Sequence, residues 1–288
     1  MPRPGDTRVV SRSSTSLPDR GDLSRLGIVV DRELHAGKQS RVLTGTVDGR
    51  QAVVKLTDAE LADRTTLETR MAMTESLAVI AGSVVAPIRI DDSLVHSVGG
   101  WLLTATPFIP GRHADNSLAA DARLLGRTLG ELHAALGGLE AWDLPPVAAL
   151  VEDRRDRSRW QLVHGDFSDQ NVIVTPSGPR IFDFDDCGYG PVLYDVANSL
   201  YMVLFDAEVN SNRDHFDAFR SPFLDGYADA IGQTVDTAVV DALIGARIDA
   251  LGRWLDDLDS APIGIRTSSP EWRDVLRAFV VAHAHDSR

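Results

Sequence analysis

The chain has 288 residues, which suits one large domain or two lobes, and its 43% hydrophobic residues can bury a core. The sequence contains no run of 18 or more apolar residues, so it predicts no membrane span. The formal net charge of −13 argues against nucleic acid as a partner, because phosphate backbones require basic surfaces.

The acidic excess is confined to one part of the chain. Residues 1–110 hold 13 Lys/Arg and 13 Asp/Glu, whereas residues 111–288 hold 16 and 29. This distribution favours a cationic small molecule as a ligand, and the simpler alternative is a solubilising acidic surface. A single cysteine, Cys187, excludes internal disulfides and fits a reducing cytoplasm. Nothing in the sequence indicates an obligate protein partner.

The first part of the chain predicts a leader and then a sheet. Residues 1–24 are expected to be flexible, because Met1–Asp22 is rich in Ser, Arg and Pro and lacks the apolar core of a secretory signal. Alternating apolar residues then predict five strands, with one helix over Thr66–Ala81 after the third. The predicted strands are Ile28–Leu34, Val42–Val47, Gln51–Leu56, Val84–Ile90 and Trp101–Thr106.

The second part of the chain reads as mainly helical. Leu118–Leu136 keeps apolar residues at 3–4 spacing and ends at Gly137-Gly138, which predicts a helix. A helical pattern returns after residue 194. The predicted helices there are Asp195–Phe205, His215–Ile231, Thr237–Asp257 and Glu271–His285.

Between these regions lies the most informative stretch. His164-Gly165-Asp166 is followed after four residues by Asn171, and then by a predicted hairpin whose second strand ends at Asp183. The hairpin brings Asp166, Asn171 and Asp183 to one end. Phosphoryl transfer needs such a set, in which one carboxylate orients and deprotonates a hydroxyl while an amide oxygen and a carboxylate hold Mg²⁺. The alternative is two turn residues and a surface charge.

This stretch resembles the aminoglycoside phosphotransferase (APH) family of the protein-kinase-like superfamily. The resemblance is carried by the His-Gly-Asp and Asn motif, by Ile181–Asp186 and by Tyr194–Ala197, and it covers roughly residues 28 to 200 in order. It implies an α+β, bilobal fold with an antiparallel N-lobe sheet, one N-lobe helix and a mainly helical C-lobe. The implied parts are a nucleotide-binding N-lobe over 25–106, a hinge over 107–112, and a C-lobe over 113–288 with the catalytic loop and acceptor site.

The resemblance also implies the cofactors, ATP and Mg²⁺, and a role for each motif residue. Asp166 is the expected catalytic residue, and Asn171 and Asp183 are the expected metal ligands. Lys55, one of only two lysines in the chain, matches the third-strand lysine that binds the α- and β-phosphates. Ser40 matches the serine of the loop that covers the phosphates.

A glutamate on the N-lobe helix is expected to hold Lys55. Glu68 and Glu75 are seven residues apart and share a face. Glu68 is slightly favoured, although Thr65-x-x-Glu68 also fits a capping box.

The segment Pro107–Arg112 resembles the hinge between the lobes of the family. In this register the Pro107 carbonyl accepts a hydrogen bond from adenine N6 and the Ile109 N–H donates to N1. The register is chemically allowed, because proline has a carbonyl but no N–H.

The acceptor site is expected among acidic residues of the C-lobe. The candidates are Asp186, Asp206, Glu208, Asp256, Asp257 and Asp259. Three functions compete: a resistance kinase for a cationic antibiotic (an aminoglycoside or a basic peptide), a metabolic kinase for homoserine, choline or a sugar, and a nucleotide-binding protein without catalysis. The complete set of Lys55, Asp166, Asn171 and Asp183 argues against the third, and the motifs do not choose between the first two, or between ATP and GTP.

Overall fold

Alternating apolar residues build an antiparallel sheet in the first lobe. The computed structural model describes residues 17–36, 40–150 and 160–283. The sheet has five strands: β1 (Ile28–Ala36), β2 (Ser40–Val47), β3 (Arg50–Asp58), β4 (His96–Val98) and β5 (Trp101–Pro107). They pair in the order β1-β2-β3-β5-β4, and the fully buried side chains of Val54, Leu56 and Leu103 form the centre of its core.

Part of the predicted leader is folded. Helix α1 (Arg20–Arg25) begins after Asp19, whose carboxylate accepts from the Gly21 N–H at 2.7 Å. Leu23, only 4% exposed, packs into the core of the sheet. The expectation of a flexible leader is therefore wrong for residues 20–24, because burial of one leucine and an aspartate cap fix this short helix. Residues 1–16 of the predicted leader lie outside the described residues.

Helix α2 (Arg64–Ile80) connects the lobes. Its N-cap is Asp63, which accepts from Thr66 N at 2.8 Å, so the capping box that was the alternative role for Thr65 and Glu68 does not form. Met73 and Leu77 pack into the core of the second lobe, while Leu67 and Met71 pack into a cluster of the first lobe.

The predicted fourth strand is wrong. Residues 84–90 form no strand, because Pro87 cannot donate to a strand partner. The other backbone N–H groups of the segment also bind different partners: Val85 N donates to Ile181 O at 2.9 Å, and Ile88 N donates to Ala105 O at 2.7 Å. The segment thus links the sheet to the second lobe, and β4 takes the edge position instead.

The second lobe is built from helices, as predicted. They are α3 (Ala119–Gly137), α4 (Tyr194–Val209), α5 (Arg213–Ile231), α6 (Thr237–Asp256), α7 (Ile263–Arg266) and α8 (Pro270–His283). Helices α3 and α5 approach closely at Gly126 and Gly226, where a Cβ would collide with the backbone of the other helix. Among the described residues no helix is long and apolar enough to cross a membrane. The α+β, bilobal fold class is confirmed.

Short strands frame the catalytic loop. They are β6 (Arg112–His113), β7 (Gln161–Val163), β8 (Val172–Thr175), β9 (Gly178–Ile181) and β10 (Gly188–Gly190). Strands β8 and β9 form the predicted hairpin, and β7 pairs with β10. Residues 164–171 therefore join β7 to β8, each of which is held by pairing with another strand, and Asp183 follows the end of β9.

Candidate active site

The catalytic loop is fixed by a buried carboxylate from α4. Asp195 is 0% exposed and accepts from the backbone N–H groups of His164 at 2.7 Å and Gly165 at 2.8 Å. His133 Nε2 donates to the same carboxylate at 3.1 Å, and its Nδ1 lies 2.8 Å from the Tyr227 hydroxyl. Three donors thus satisfy Asp195, and the start of the loop cannot move without breaking them.

His164 belongs to the scaffold of the loop. Its Nδ1 accepts from the Asp166 N–H at 3.3 Å, so the ring proton is on Nε2, which donates to the Phe182 carbonyl at 3.1 Å. Both ring nitrogens are occupied, which leaves His164 no free atom for acid–base chemistry.

Gly165 brings the loop against the segment that follows β9. Its φ is +86°, in the left-handed region that favours glycine, and a Cβ here would collide with the Asp186 carbonyl. The close approach places Asp166 and Asp186 in the same cleft.

Asp166 lies between two asparagines. Asn171 Nδ2 donates to the Asp166 carbonyl at 2.8 Å and to its Oδ2 at 3.2 Å, and Asn198 Nδ2 makes a long contact of 3.5 Å to Oδ1. Desolvation raises the pKa of Asp166 above its ordinary value, and the nearby Asp183 adds to the rise. The carboxylate is therefore oriented and more basic than an exposed aspartate.

Lys55 pairs with two carboxylates from the segment after β9. Its Nζ lies 2.8 and 3.0 Å from the Asp183 oxygens and 2.8 Å from Asp185 Oδ2. Burial alone would lower the pKa of Lys55, but Asp185 and Asp183 raise it well above its usual value. Burial alone would raise the pKa of Asp183, but the charge of Lys55 holds the pKa of this carboxyl below its usual range. Both groups are therefore charged at neutral pH.

Asp183 has a backbone conformation that aims it at this site. Its φ is +63°, which is uncommon for a residue other than glycine and costs about 1–3 kcal/mol. Aspartate tolerates the left-handed region better than most residues do. The strained position turns its carboxylate from the end of β9 towards Lys55.

The expected pair between Lys55 and a glutamate of α2 is not formed. Glu68 accepts from Arg64 Nε at 2.7 Å, one turn away on the exposed surface of the helix. Glu75 binds the Arg89 guanidinium at 2.6 and 2.7 Å. Each glutamate has an arginine partner within reach, so Lys55 takes its partners from the segment after β9. The assignment of Glu68 is therefore corrected.

A continuous cleft leads from the hinge to Asp166. Its hinge end is a mainly apolar cavity of about 420 Å³ lined by Pro107, Ile109 and Phe182, among others, within the range of about 300–1,000 Å³ of small-molecule sites. A narrower middle section shares residues with both ends. Its charged end contains Ser40, Lys55 and Asp166, and residues 37–39 before Ser40 lie outside the described residues.

The hinge offers the cleft a free donor at Ile109. The Phe108 N–H is bonded to the Gln51 carbonyl at 3.1 Å, whereas the Ile109 N–H has no hydrogen-bond partner in the described part of the chain. Ile109 and Pro107 both line the cavity. The free N–H is where the hinge register predicts one.

Of the acidic acceptor candidates, one lies in the cleft. Asp186 is exposed, and partial desolvation in the cleft, together with Asp166 and Asp185, raises its pKa to about 6. The others lie at or just beyond the C-terminal ends of α4 and α6 and are not among the residues that line the cleft. They are Asp206, Glu208, Asp256, Asp257 and Asp259.

Four residues at the site have no assigned role in the sequence-based prediction. Asp185 pairs with Lys55, and Arg70 of α2 lines the charged end of the cleft. Arg247 Nε donates to Asn198 Oδ1 at 3.3 Å, and its guanidinium lies 4.9 Å from the Tyr201 ring centroid. Only Asp185 had a signal, since it lies within a motif. Arg70, Arg247 and Asn198 lie on amphipathic helices, where the sequence pattern does not separate a site residue from a surface residue.

The donor set fits a metal that is bound together with phosphates. Asn171 commits its Nδ2 to Asp166, which leaves Oδ1 available as a ligand, and the Asp183 carboxylate lines the charged end of the cleft together with Asp166. Among the described residues no three His, Cys, Asp or Glu side chains form a ready-made metal cage. Mg²⁺ commonly takes one or two protein ligands, with phosphate oxygens and waters completing its shell. The residues present therefore fit that mode of binding.

The sequence matches the model of the phosphotransferase enzyme family (APH) over residues 32–157 and 139–243. These matches span well over half of the chain, so the chain belongs to this family, and it is a small-molecule kinase. No curated protein sequence matches it.

Solved structures of kinases share the fold. Amicoumacin kinase hAmiN, in complex with AMP-PNP, Ca²⁺ and Ami, is 19% identical with a TM-score of 0.69, and the match covers 91% of this chain and 89% of that one. A microcompartment-associated aminopropanol kinase is 15% identical with a TM-score of 0.62 and coverages of 88% and 89%. Choline kinase from Cryptosporidium parvum Iowa II is 11% identical with a TM-score of 0.59 and coverages of 90% and 90%.

Proposed function

We propose that this member of the phosphotransferase family transfers the γ-phosphoryl group of ATP to a hydroxyl group of a small molecule. The observation that carries the proposal is the continuous cleft, with an apolar cavity at the hinge and Lys55, Asp166 and Asp183 at its other end. The purine of a nucleotide fits the apolar end, and the phosphates of that nucleotide then extend towards the charged end, which holds these three residues.

The nucleotide is positioned by the hinge and by Lys55. The free Ile109 N–H and the Pro107 carbonyl supply the donor and acceptor that the edge of adenine requires. Lys55 supplies positive charge beside the phosphates. Asn171 and Asp183 would hold Mg²⁺, which when bound neutralises charge on the phosphate oxygens.

The chain orients the attacking hydroxyl. Asp166 accepts its hydrogen bond and takes up its proton, while the hydroxyl oxygen forms a bond to the γ-phosphorus. The bond from this phosphorus to the β–γ bridging oxygen breaks, and ADP leaves with that electron pair. Asn171 keeps the Asp166 carboxylate in place through the contact to Oδ2.

The acceptor we favour is a cationic antibiotic, an aminoglycoside or a basic peptide, whose phosphorylation would confer resistance. The whole net charge of −13 lies after residue 110, in the lobe that carries Asp166. Asp186 places a further carboxylate next to Asp166 in the cleft. An acidic field of this kind raises the local concentration of a polycation.

A second acceptor class is favoured by Arg247. This cation lies next to Asn198, which contacts Asp166, and its guanidinium has donors left over after one hydrogen bond. One of its nitrogens is buried without a hydrogen-bond partner in the described part of the chain. Such a group suits an acceptor with a carboxylate or carbonyl near its hydroxyl, as in a zwitterionic metabolite of the homoserine type.

A coupled assay for ADP release tests the proposal. Purified protein with Mg·ATP is offered a panel of aminoglycosides, basic peptide antibiotics, amino alcohols, homoserine and sugars, and Asp166→Asn serves as the inactive control. A cationic acceptor should show a KM that rises steeply between 0.1 and 1 M salt, because the Debye length falls from about 10 Å to about 3 Å. A neutral or zwitterionic acceptor with a salt-independent KM would decide for the metabolic function. Release of ADP that is the same in the control variant would contradict phosphoryl transfer at this site.

A further inference from the structure

Helix α2 presents a cation to the cleft where the family pattern predicts an acidic residue. Its glutamates are engaged elsewhere, Glu68 with Arg64 and Glu75 with Arg89. The α2 residues that line the charged end of the cleft are Thr66, Leu67 and Arg70. The helix therefore adds positive rather than negative charge to the part of the cleft that holds Lys55 and Asp166.

Arg70 is anchored but has most of its donors free. Its Nε donates to the Cys187 carbonyl at 2.9 Å, in a partly buried position. A guanidinium has five N–H donors, and the four on the two terminal nitrogens have no hydrogen-bond partner among the described residues. Arg70 forms no salt bridge to any side chain in the described ranges. The anchor fixes the stem of the side chain, while the fork of its terminal nitrogens stays available at the wall of the cleft.

The fork forms no salt bridge within the described residues, although carboxylates are near. Five aspartates line the same end of the cleft: Asp183 and Asp185 are committed to Lys55, Asp63 caps α2, and Asp166 and Asp186 form no salt bridge with Arg70. A planar guanidinium with two parallel N–H groups matches the oxygens of a phosphoryl group. In phosphoryl transfer, negative charge is spread over the equatorial oxygens of the transferred group, where a fixed cation stabilises it.

We propose that Arg70 binds the γ-phosphoryl group of the nucleotide and stays with it during transfer. The assignment rests on the proposed function and adds a residue to it. Lys55 on β3 and Arg70 on α2 then both neutralise negative charge on the phosphates. The two lobes and the helix that connects them therefore all contact the nucleotide. Arg70 is then a catalytic residue, because it touches the reacting group.

The test compares two nucleotides and needs no acceptor. Binding of Mg·ADP and Mg·AMP-PNP is measured by calorimetry for the wild type and for Arg70→Gln. Glutamine places its Nε2 where arginine has Nε, so the bond to the Cys187 carbonyl is kept while the charge and the fork are removed. Arg64→Gln, on the exposed surface of the same helix, is the matched control.

We expect Arg70→Gln to weaken AMP-PNP binding by about tenfold to a hundredfold and to leave ADP binding nearly unchanged, with no change for Arg64→Gln. An equal loss for both nucleotides would overturn the assignment in favour of a structural role, and no loss for either would remove Arg70 from the γ-phosphoryl group. If Arg70→Gln does not fold, Arg70→Lys must show a smaller loss that is still confined to AMP-PNP. A wild type that binds neither nucleotide would instead refute the proposed function itself.

Discussion

Replacement of Asp195 by asparagine should uncouple the catalytic loop from its support. The carboxylate is fully buried and accepts from His164 N, Gly165 N and His133 Nε2 at 2.7–3.1 Å. Asparagine keeps the shape but has only one oxygen, so one of the two backbone N–H groups loses its acceptor. His133 can adapt, because its ring can exchange donor and acceptor roles with Tyr227.

The structure sets the size of the effect. An orphaned buried N–H costs about 1–3 kcal/mol, and the bond that remains loses its charge assistance, worth about 1 kcal/mol more. We therefore expect the free energy of unfolding to fall by about 2–4 kcal/mol, measured by urea denaturation at neutral pH. The turnover number should fall by more than tenfold as well, because a small displacement of Asp166 disturbs its alignment with the hydroxyl.

Asp206→Asn is the matched control, since it makes the same chemical change at an exposed position in the last turn of the same helix. It should change the free energy of unfolding by less than about 0.5 kcal/mol. If Asp195→Asn is no less stable than Asp206→Asn, the three hydrogen bonds do not hold the loop and the reasoning fails.

Three further outcomes are expected. Asp166→Ala should lower kcat at least about a hundredfold, with ATP affinity nearly unchanged, and near-normal turnover of the variant would exclude Asp166 as the base. Because Asp166 must be ionised and its pKa is raised, kcat/KM of the wild type should fall with decreasing pH already above the ordinary aspartate value of about 3.9; an acidic limb at or below that value would contradict the raised pKa. Asp183→Asn should weaken Mg·ATP binding in calorimetry, since an amide is a poorer metal ligand. Asp185→Asn should weaken it too, because Lys55 loses one of the two carboxylates that hold it in position. Glu68→Gln should leave Mg·ATP binding unchanged, and a loss of binding in this variant would restore the glutamate to the site.

The helices and the catalytic hairpin could be predicted because their signals are local. A 3–4 spacing over 19 residues fixes α3, and β-branched runs around a turn fix β8 and β9. The segment 84–90 has the same apolar character as a strand, but its hydrogen bonds go to Ala105 in one lobe and Ile181 in the other. Only the tertiary fold decides that competition.

The sequence predicts the site residues that belong to a motif. It does not predict which side chains pair with each other, because that depends on the folded structure. Spacing places Glu68 on α2 but does not show that Arg64, four residues away, takes it from Lys55. Arg70 and Arg247 are cations on amphipathic helices of an arginine-rich chain, so no pattern distinguishes them from surface arginines. Arg70 stands out because it lines the cleft, and Arg247 because one of its nitrogens is buried with no partner among the described residues.

The charge of the whole chain and the charge of the cleft have different consequences for the acceptor. Five carboxylates and two cations line the charged end of the cleft, and a bound Mg²⁺ would offset most of that excess of negative charge. The acidic residues near the ends of α4 and α6 do not line the charged end of the cleft. Those carboxylates can attract a polycation but cannot orient its hydroxyl. Orientation must come from groups in contact with the acceptor, and Asp186 and Arg247 are the charged groups next to Asp166 that the nucleotide does not require. An acceptor with a cation and a carbonyl or carboxylate on either side of its hydroxyl would use both.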